Sequence, residues 1–460
     1  MRHSRFPIVP MTGAERRAAA GLAGIFALRM LGLFLILPVF ALYAQGLVGA
    51  TPLLIGIAVG AYGLTQAALQ IPFGMLSDRI GRKPVIFGGL ILFALGSLVA
   101  ALAEDIGGVI VGRVLQGSGA IAAAVMALTA DLTREEVRTR AMAGIGIGIG
   151  IAFALALVAG PILGHWLGLA GIFWLTAGLA VGGILILALV VPTPDHSSIH
   201  RDAEPVAGQL GRVLKIRELV RLDFGVLTLH MMVTSLFLVI PLALGNQGLD
   251  TAHHWWVYLP VLVLSMGAIV PFIIQAEGKG RMKPVFLGAV LILVLVLAGL
   301  YLLDAGLWGL MSLLFLFFTA FNLLEASLPS LISRLTPADA KGTAMGVFAT
   351  SQFAGAFCGG LLGGWVHQSY GPDTVFLFGS ALAVIWFLVA WPMTNPRPVS
   401  NQVVRIRAKT ETDGAGLQRL LLEIPGVEEA VVAMDEGLAY LKVDKSRLDW
   451  ARLQGYTVGA

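Results

Sequence analysis

Gly74-Met75-Leu76-Ser77-Asp78-Arg79-Ile80-Gly81-Arg82-Lys83 places one acid and three bases, punctuated by glycine, between two long apolar segments. Glycines at 74 and 81 let backbones approach closely, and the charges sit where a chain leaving hydrocarbon meets water. The stretch predicts a polar loop joining two membrane helices.

Composition agrees with that reading. Hydrophobic residues make up 57% of the 460 positions, charged residues only 13%, and the mean hydropathy is +0.86. These proportions exclude the soluble globular classes. A membrane-crossing helix needs about 20 mostly apolar residues. Twelve such segments are predicted, centred near Leu31, Leu64, Phe93, Ser118, Ala152, Val181, Val233, Leu264, Val294, Thr319, Phe353 and Leu382. The first follows Arg16 and Arg17 as a secretory leader would, but its length, its internal Arg29 and the lack of an A-x-A site predict a retained helix.

The net charge of +4 matters less than where the bases lie. Lys and Arg fill the N-terminus (Arg2, Arg5, Arg16, Arg17) and the loops at 79–83, 134–140, 201–221, 279–283 and 334–341. The alternate loops, near Leu47, Glu104, Gly168, Leu249, Asp304 and Gly371, carry none. The positive-inside rule then predicts that both termini and the long central loop are cytoplasmic. The same one-sidedness disfavours a nucleic-acid partner. Cys358 is the single cysteine, so neither a disulfide framework nor a thiolate metal cluster is expected.

The chain repeats internally. LTREEVRTRAMAGIG from Leu132 aligns with LTPADAKGTAMGVFA from Leu335, and the same offset carries Gly160 onto Gly363 and Gly168 onto Gly371. Gly278-Lys279-Gly280-Arg281-Met282-Lys283 is a faded copy of the opening stretch. The expected organisation is a six-helix half at 1–192, a cytoplasmic linker at 193–220, a second six-helix half at 221–394 and a small domain at 401–460. In that last domain Val403–Lys409, Val427–Ala433 and Ala439–Val443 read as strands, and Leu417–Glu423 and Ser446–Leu453 as helices. The order suggests a β-α-β-β-α-β, ferredoxin-like α+β unit. In outline it resembles the heavy-metal-associated domain, but it holds no cysteine, so metal binding is not expected.

GMLSDRIGRK resembles the loop signature G-x-L-x-D-R-x-G-R-K between helices 2 and 3 of the major facilitator superfamily, matching all seven specified positions. The chain resembles the drug:proton antiporter type of that family. The resemblance implies an all-α fold of twelve helices in a bacterial inner membrane, a substrate cavity between the halves, and protons and a small solute as partners, with no cofactor. It also implies a conformational latch made of Gly74, Asp78, Arg79, Gly81, Arg82, Lys83 and Asp131. Asp78 is expected to face the start of helix 11 near Lys341 and Gly342, whose positive end attracts a carboxylate, while Arg82 reaches Asp131.

Ionisable residues inside spans are costly, about 2.5–3.5 kcal/mol for an Arg on insertion scales, and mark function by default. Arg113, in the run Arg113-Val114-Leu115-Gln116-Gly117, resembles the family's R-x-x-Q-G signature for proton coupling, and Arg29 in the first span is similarly expensive. Glu325 is read as the only carboxylate well inside a span. Burial favours its neutral form and a nearby cation its charged form, so its hold on a proton changes with its surroundings. His230 is the second titratable candidate, and Asn322 lies one turn from Glu325. Gly160, Pro161 and Gly164 resemble the G-P-x-x-G core of the antiporter signature.

Phe34, Phe40, Phe73, Met231, Met232 and Phe237 are candidates to line an apolar cavity, and no substrate-binding residue is assigned. The rival readings are a nutrient importer or symporter on the same scaffold, and a membrane sensor using the C-terminal domain as output. No Ser/His/Asp set, metal-ligand cluster or phosphate loop argues for an enzyme. The C-terminal domain is expected to dock on the core or to self-associate.

Overall fold

The structure, a computed structural model, describes residues 9–194, 207–278, 280–304, 306–395, 399–406, 413–434, 436–444 and 447–456. Its body is helical: α1 (Gly13–Phe34), α2 (Pro52–Ile80), α3 (Arg82–Leu102), α4 (Ile106–Ser118), α5 (Ala122–Asp131), α6 (Glu135–Leu189), α7 (Arg217–Asn246), α8 (Trp255–Ala268), α9 (Met282–Leu302), α10 (Gly306–Leu335), α11 (Lys341–Tyr370) and α12 (Thr374–Ala390). Among the described residues, 10 helical stretches are long and apolar enough to cross a membrane. Their outer faces carry Val111, Ile147, Leu185, Leu295 and Leu388, all exposed, with Trp166, Trp256, Trp308 and Trp391 exposed near helix ends. An apolar surface of that extent with terminal tryptophans suits lipid and its two interfaces.

The opening stretch is tighter than the predicted loop. Residues 74–80 complete α2, Arg82 begins α3, and Gly81 alone makes the turn at φ 97°, a conformation that favours glycine. Lys83 Nζ then donates to Val191 O at 2.7 Å and ties the start of α3 to the end of α6. α1 is held at the same level: Thr12 and Glu15 form a capping box, and Glu15 Oε1 takes Arg134 Nε at 2.8 Å.

Two breaks in the helices fall at glycines. The fourth apolar stretch breaks into α4 and α5 at Gly119-Ala120-Ile121, where a Cβ on Gly119 would lie 2.2 Å from Gly89 O. Inside α6, Gly168 adopts φ 65°, ψ −175°, so the helical run reverses there.

Two glycine seams organise the packing around α11. Against α2, a Cβ on Gly56 would sit 2.1 Å from Gly360 O, one on Gly60 2.9 Å from Phe357 O and one on Gly63 2.5 Å from Phe353 O. Against α7, a Cβ on Gly355 would meet Leu227 O at 2.1 Å and one on Gly359 would meet Met231 O at 2.3 Å. Small residues permit such backbone contact between membrane helices, where no hydrophobic force drives them together. The α2–α11 contact lies at the end of the bundle away from Gly81, where Gln368 Oε1 also accepts from Leu53 N at 3.2 Å.

Beyond α12, β1 (Ser400–Arg405), β2 (Val427–Ala433) and β3 (Leu438–Val443) form an antiparallel sheet in the order β1-β3-β2, with α13 (Gly414–Leu422) and α14 (Trp450–Gln454). Period-2 alternation sends Ala439, Leu441 and Val443 into a core with Leu417, Leu421 and Leu453. Leu438 and Tyr440 point the other way and close over Ala338 in the α10–α11 connection. β3 is therefore buried on both faces, which its sequence alone does not announce. Asn401 Nδ2 donates to Ser333 O at 2.8 Å, Ala338 N to Glu429 Oε1 at 3.2 Å, and Arg405 Nη2 lies 3.4 Å from Glu135 Oε1 at the start of α6.

Several boundaries in this domain differ from expectation: α13 runs Gly414–Leu422 rather than Leu417–Glu423, and β3 begins at Leu438 rather than Ala439. β1 begins at Ser400 rather than Val403. α14 begins only at Trp450, because Asp449 accepts from Arg452 N at 3.2 Å as its N-cap and Leu448 is pulled into the core. The expected last strand would fall beyond Tyr456, outside the described residues.

Candidate functional site

The signature residues form one cluster at the α2–α3 turn. Ser77 Oγ donates to Gly74 O at 2.7 Å and accepts from Arg82 Nη1 at 2.8 Å. Arg82, 3% exposed, also binds Asp78 through Nη1, and its Nε stands 3.5 Å from Asp131 Oδ2 at the end of α5. Gly74 allows this approach, because a Cβ there would be 3.0 Å from that of Ala123. Arg79 is exposed. The expected pairing of Arg82 with Asp131 is present, whereas Asp78 is held by Arg82 and not by the start of α11 in this conformation.

A second cluster surrounds Tyr62. Arg29, 0% exposed, donates through Nη2 to Gln66 Oε1 and to Gly119 O, both at 2.8 Å. The break between α4 and α5 thus presents a carbonyl to a cation, favourable at a helix C-terminus. Arg113, 2% exposed, donates to Ala58 O and Val59 O at 3.2 Å and to Gln116 Oε1 at 2.7 Å; Gln116 Nε2 donates on to Ser97 Oγ at 2.8 Å. The Tyr62 ring centroid lies 5.6 Å from the Arg29 guanidinium carbon and 5.2 Å from that of Arg113, within cation–π range. Carbonyl, amide and ring partners, rather than carboxylates, compensate both charges.

Replacing Arg113 by Met would leave Gln116 Oε1 without its donor, and a stranded buried acceptor costs about 1–3 kcal/mol. The expected result is a lower unfolding temperature of the purified protein; an unchanged midpoint would mean that this cluster does not hold α2 to α4.

The third cluster brings α7, α10 and α11 together. His230 Nδ1 donates to Val226 O at 3.1 Å, which leaves Nε2 as the acceptor of the Gln352 amide at 2.7 Å. Gln352 Nε2 also reaches Glu325 Oε1 at 3.3 Å, and Glu325 Oε2 stands 3.8 Å from His230 Nε2. The Glu325 side chain is 37% exposed, so helix packing does not seal the group off. Asn322 turns away, donating to Ser265 Oγ on α8 at 3.1 Å.

Aromatic rings bridge the helices beside this group. Phe153 on α6 lies 5.2 Å from Phe34 and 6.3 Å from Phe321, which is 6.2 Å from the His230 ring; Tyr62 on α2 meets Phe353 on α11 at 6.0 Å. Of the predicted apolar lining, Phe40, Met231, Met232 and Phe237 are instead buried in helix packing. Gly160 serves close packing, since a Cβ there would be 2.6 Å from Leu35 O, and a Cβ on Gly164 would stand 3.1 Å from the Tyr43 ring. Pro161 lies inside α6.

Sequence reasoning missed Gln352, Tyr62 and Gln66, which bind the ionisable residues it found, and Ser97, which accepts from Gln116. Uncharged polar residues in apolar spans were the available signal. It also needs one correction: Glu325 is not the only carboxylate within a span, because Asp223 lies in α7 at 7% exposure. A cavity of about 220 Å³ lined by Gln45, Thr51, Leu238 and His367 lies at the end away from Gly81, apart from the Glu325 group. Among the described residues no group of side chains could hold a metal ion.

Apolar spans packed through glycine seams around buried polar clusters define a polytopic membrane transport protein. The chain belongs to the Major Facilitator Superfamily, which it matches over residues 22–360 and 280–424. It is 50% identical over 434 residues to the inner membrane transport protein YajR of Escherichia coli K12, covering 94% of this chain and 95% of that one. It is 26% identical over 374 residues to the multidrug resistance protein MdtH of Cronobacter sakazakii, covering 79% and 90%. The solved structure of a bacterial homolog to the human lysosomal transporter Spinster aligns with a TM-score of 0.68 at 12% identity, over 83% of this chain and 97% of that chain. The protein is thus a multi-pass inner-membrane transporter and not an enzyme.

Proposed function

We propose that the protein is a proton-coupled antiporter that exports an amphipathic small solute by alternating access. The observation that carries this reading is the His230–Gln352–Glu325 group. Two titratable side chains share one amide donor at the meeting of three helices, and the partly exposed carboxyl lies beside the Phe321 and Phe153 rings. A carboxyl and an imidazole so placed supply a proton-carrying site whose contacts change when the helices move.

The supporting plan has twelve crossings. The 10 long stretches become eleven when α6 reverses at Gly168, and α12, of 17 residues, supplies the twelfth. Two six-helix halves (1–192 and 221–394) are joined by the linker 193–220, with both termini cytoplasmic. Close α2–α11 contact at the end away from Gly81 fits a state closed to the outside. The domain at 401–460, read as ferredoxin-like, touches both the α10–α11 connection and Glu135, and so bears on the end that must open inward. Aromatic neighbours and few polar side chains favour an amphipathic solute over a sugar, and similarity to the multidrug resistance protein MdtH points the same way.

Ethidium retention in a strain lacking its own exporters tests the export reading. Expression should lower retention, and a collapsed proton gradient should restore it. Raised retention on expression would favour the importer, and no effect across a panel of amphipathic dyes would favour the sensor.

The latch gives a separate expectation. Asp78→Asn leaves Arg82 with Asp131 but removes one carboxylate from a nearly buried guanidinium, so the balance between states should shift. Transport should fall several-fold at unchanged membrane abundance, by rate measurement against immunoblot. An unchanged rate would leave these charges a topological role only.

A further inference from the structure

Asp223 is the carboxylate that the transport reading leaves unused. It lies in the second turn of α7, 7% exposed, and its Oδ1 is buried without a hydrogen-bond partner. Among the described residues it makes no ion pair. Glu218 and Arg221, one turn earlier, pair with each other at 2.6 Å. Of the helices packed against α7, α12 contributes no titratable side chain; α11 offers Lys341 at its start, Cys358, His367 and, at its far end, Tyr370, and α10 offers Glu325 and Arg334. None of them binds Asp223. On α2 and the short helix Phe40–Tyr43, which also touch α7, the titratable residues are Asp78, Arg79, Tyr62 and Tyr43, and these too make no bond to it.

The seam fixes where this acid stands. α7 and α11 run parallel with Leu227 against Gly355, Met231 against Gly359 and Ser235 against Gly363. One turn back, the same register carries Asp223 to the level of Ser351. His230 follows Asp223 by seven residues and shares its helix face. That spacing is about 10 Å along α7. Asp223 and His230 therefore occupy two depths of one α7 stripe, Asp223 nearer the end where Gly81 lies, and Gln352, next to Ser351, reaches from the level of Asp223 to His230. A buried, unpaired carboxylate is strongly disfavoured in its charged form.

We propose that Asp223 is a second proton-holding site of the transport cycle. It holds a proton as the neutral acid in this conformation and releases it to water on the Gly81 side when α7 and α11 separate. The step breaks one O–H bond, leaves the carboxylate and gives the proton to solvent; reprotonation reverses it. The proposal rests on the proton-coupled reading for its role, and on the unpartnered acid for its existence.

Infrared difference titration of the purified full-length protein reads protonated carboxyl groups directly. Wild-type protein should show a protonated carboxyl absorption persisting at neutral pH. Asp223→Asn should remove that component and Asp223→Glu should shift it, while Glu325→Gln should leave it in place. In proteoliposomes with ethidium as probe, Asp223→Asn should flatten the pH dependence of exchange and Asp223→Glu should restore part of it.

If Asp223→Asn leaves both absorption and pH profile unchanged, the proposal is wrong while the transport reading stands. If wild-type protein moves no protons with any dye but Asp223→Asn still removes the absorption, the transport reading fails and the proton site survives.

Discussion

Glu325→Gln is expected to abolish pH-driven exchange while sparing solute binding. Glutamine keeps the length of the side chain and an oxygen for the Gln352 amide, now 3.3 Å from Glu325 Oε1, but it cannot ionise. His230 Nε2, 3.8 Å away, then faces an amide where it had a group able to carry negative charge. The variant therefore removes the carboxylate beside the imidazole while keeping the contact to Gln352. In vesicles with a pH jump and ethidium, dye-dependent proton movement should vanish. Ethidium binding to detergent-solubilised protein, read by fluorescence, should persist within a few-fold of wild type. Full proton movement in the variant would put the coupling site elsewhere.

The second large effect concerns the seam that closes the bundle away from Gly81. Gly56→Leu places a Cβ where Gly360 O already stands, 2.1 Å from the ideal position, and the opposing glycine offers no flexible side chain to give way. A Cβ on Gly360 would meet Gly56 O at 2.3 Å, so the block is reciprocal. Overpacking costs about 1–3 kcal/mol in an interior free to adjust, and two backbones have less freedom than that. This penalty falls only on the conformation in which the seam is closed, so it acts as a differential bias on the conformational equilibrium. A bias of about 1–3 kcal/mol corresponds to a population shift of roughly 5–150-fold. Spin-label distances between α2 and α11, measured in a background with Cys358 replaced by Ser, should lengthen at that end. Unchanged distances would mean that the seam is not a moving contact.

How much of this was legible depended on the range of each contact. The turn at Gly81 was readable because glycines, charges and flanking apolar segments lie within ten neighbouring residues. The cost of Arg29, Arg113 and Glu325 was readable one residue at a time. Their partners were not, because Arg29 meets Gln66 and Gly119 across 37 and 90 residues, and His230 meets Gln352 across 122. The break at Gly119 follows Gly117 and Ser118, residues that weaken a helix, and the close approach of the Gly89 backbone to Gly119 fixes its place.

Asp223 escaped notice because Arg217, Glu218 and Arg221 precede it closely in the sequence and make it read as the polar margin of the span. α7 begins at Arg217 and carries the acid inside. In the C-terminal domain, alternation along β3 was visible, but which face met the helices and which met Ala338 depended on a surface outside the domain.

Simultaneous recording of proton and dye movement in proteoliposomes of the purified protein tests coupled antiport most directly. With protein oriented and a pH gradient imposed, ethidium should move against its own gradient while protons move the opposite way, and reversing the dye gradient should drive protons against theirs. Dye movement indifferent to the proton gradient, or protons and dye moving in the same direction, would contradict the account.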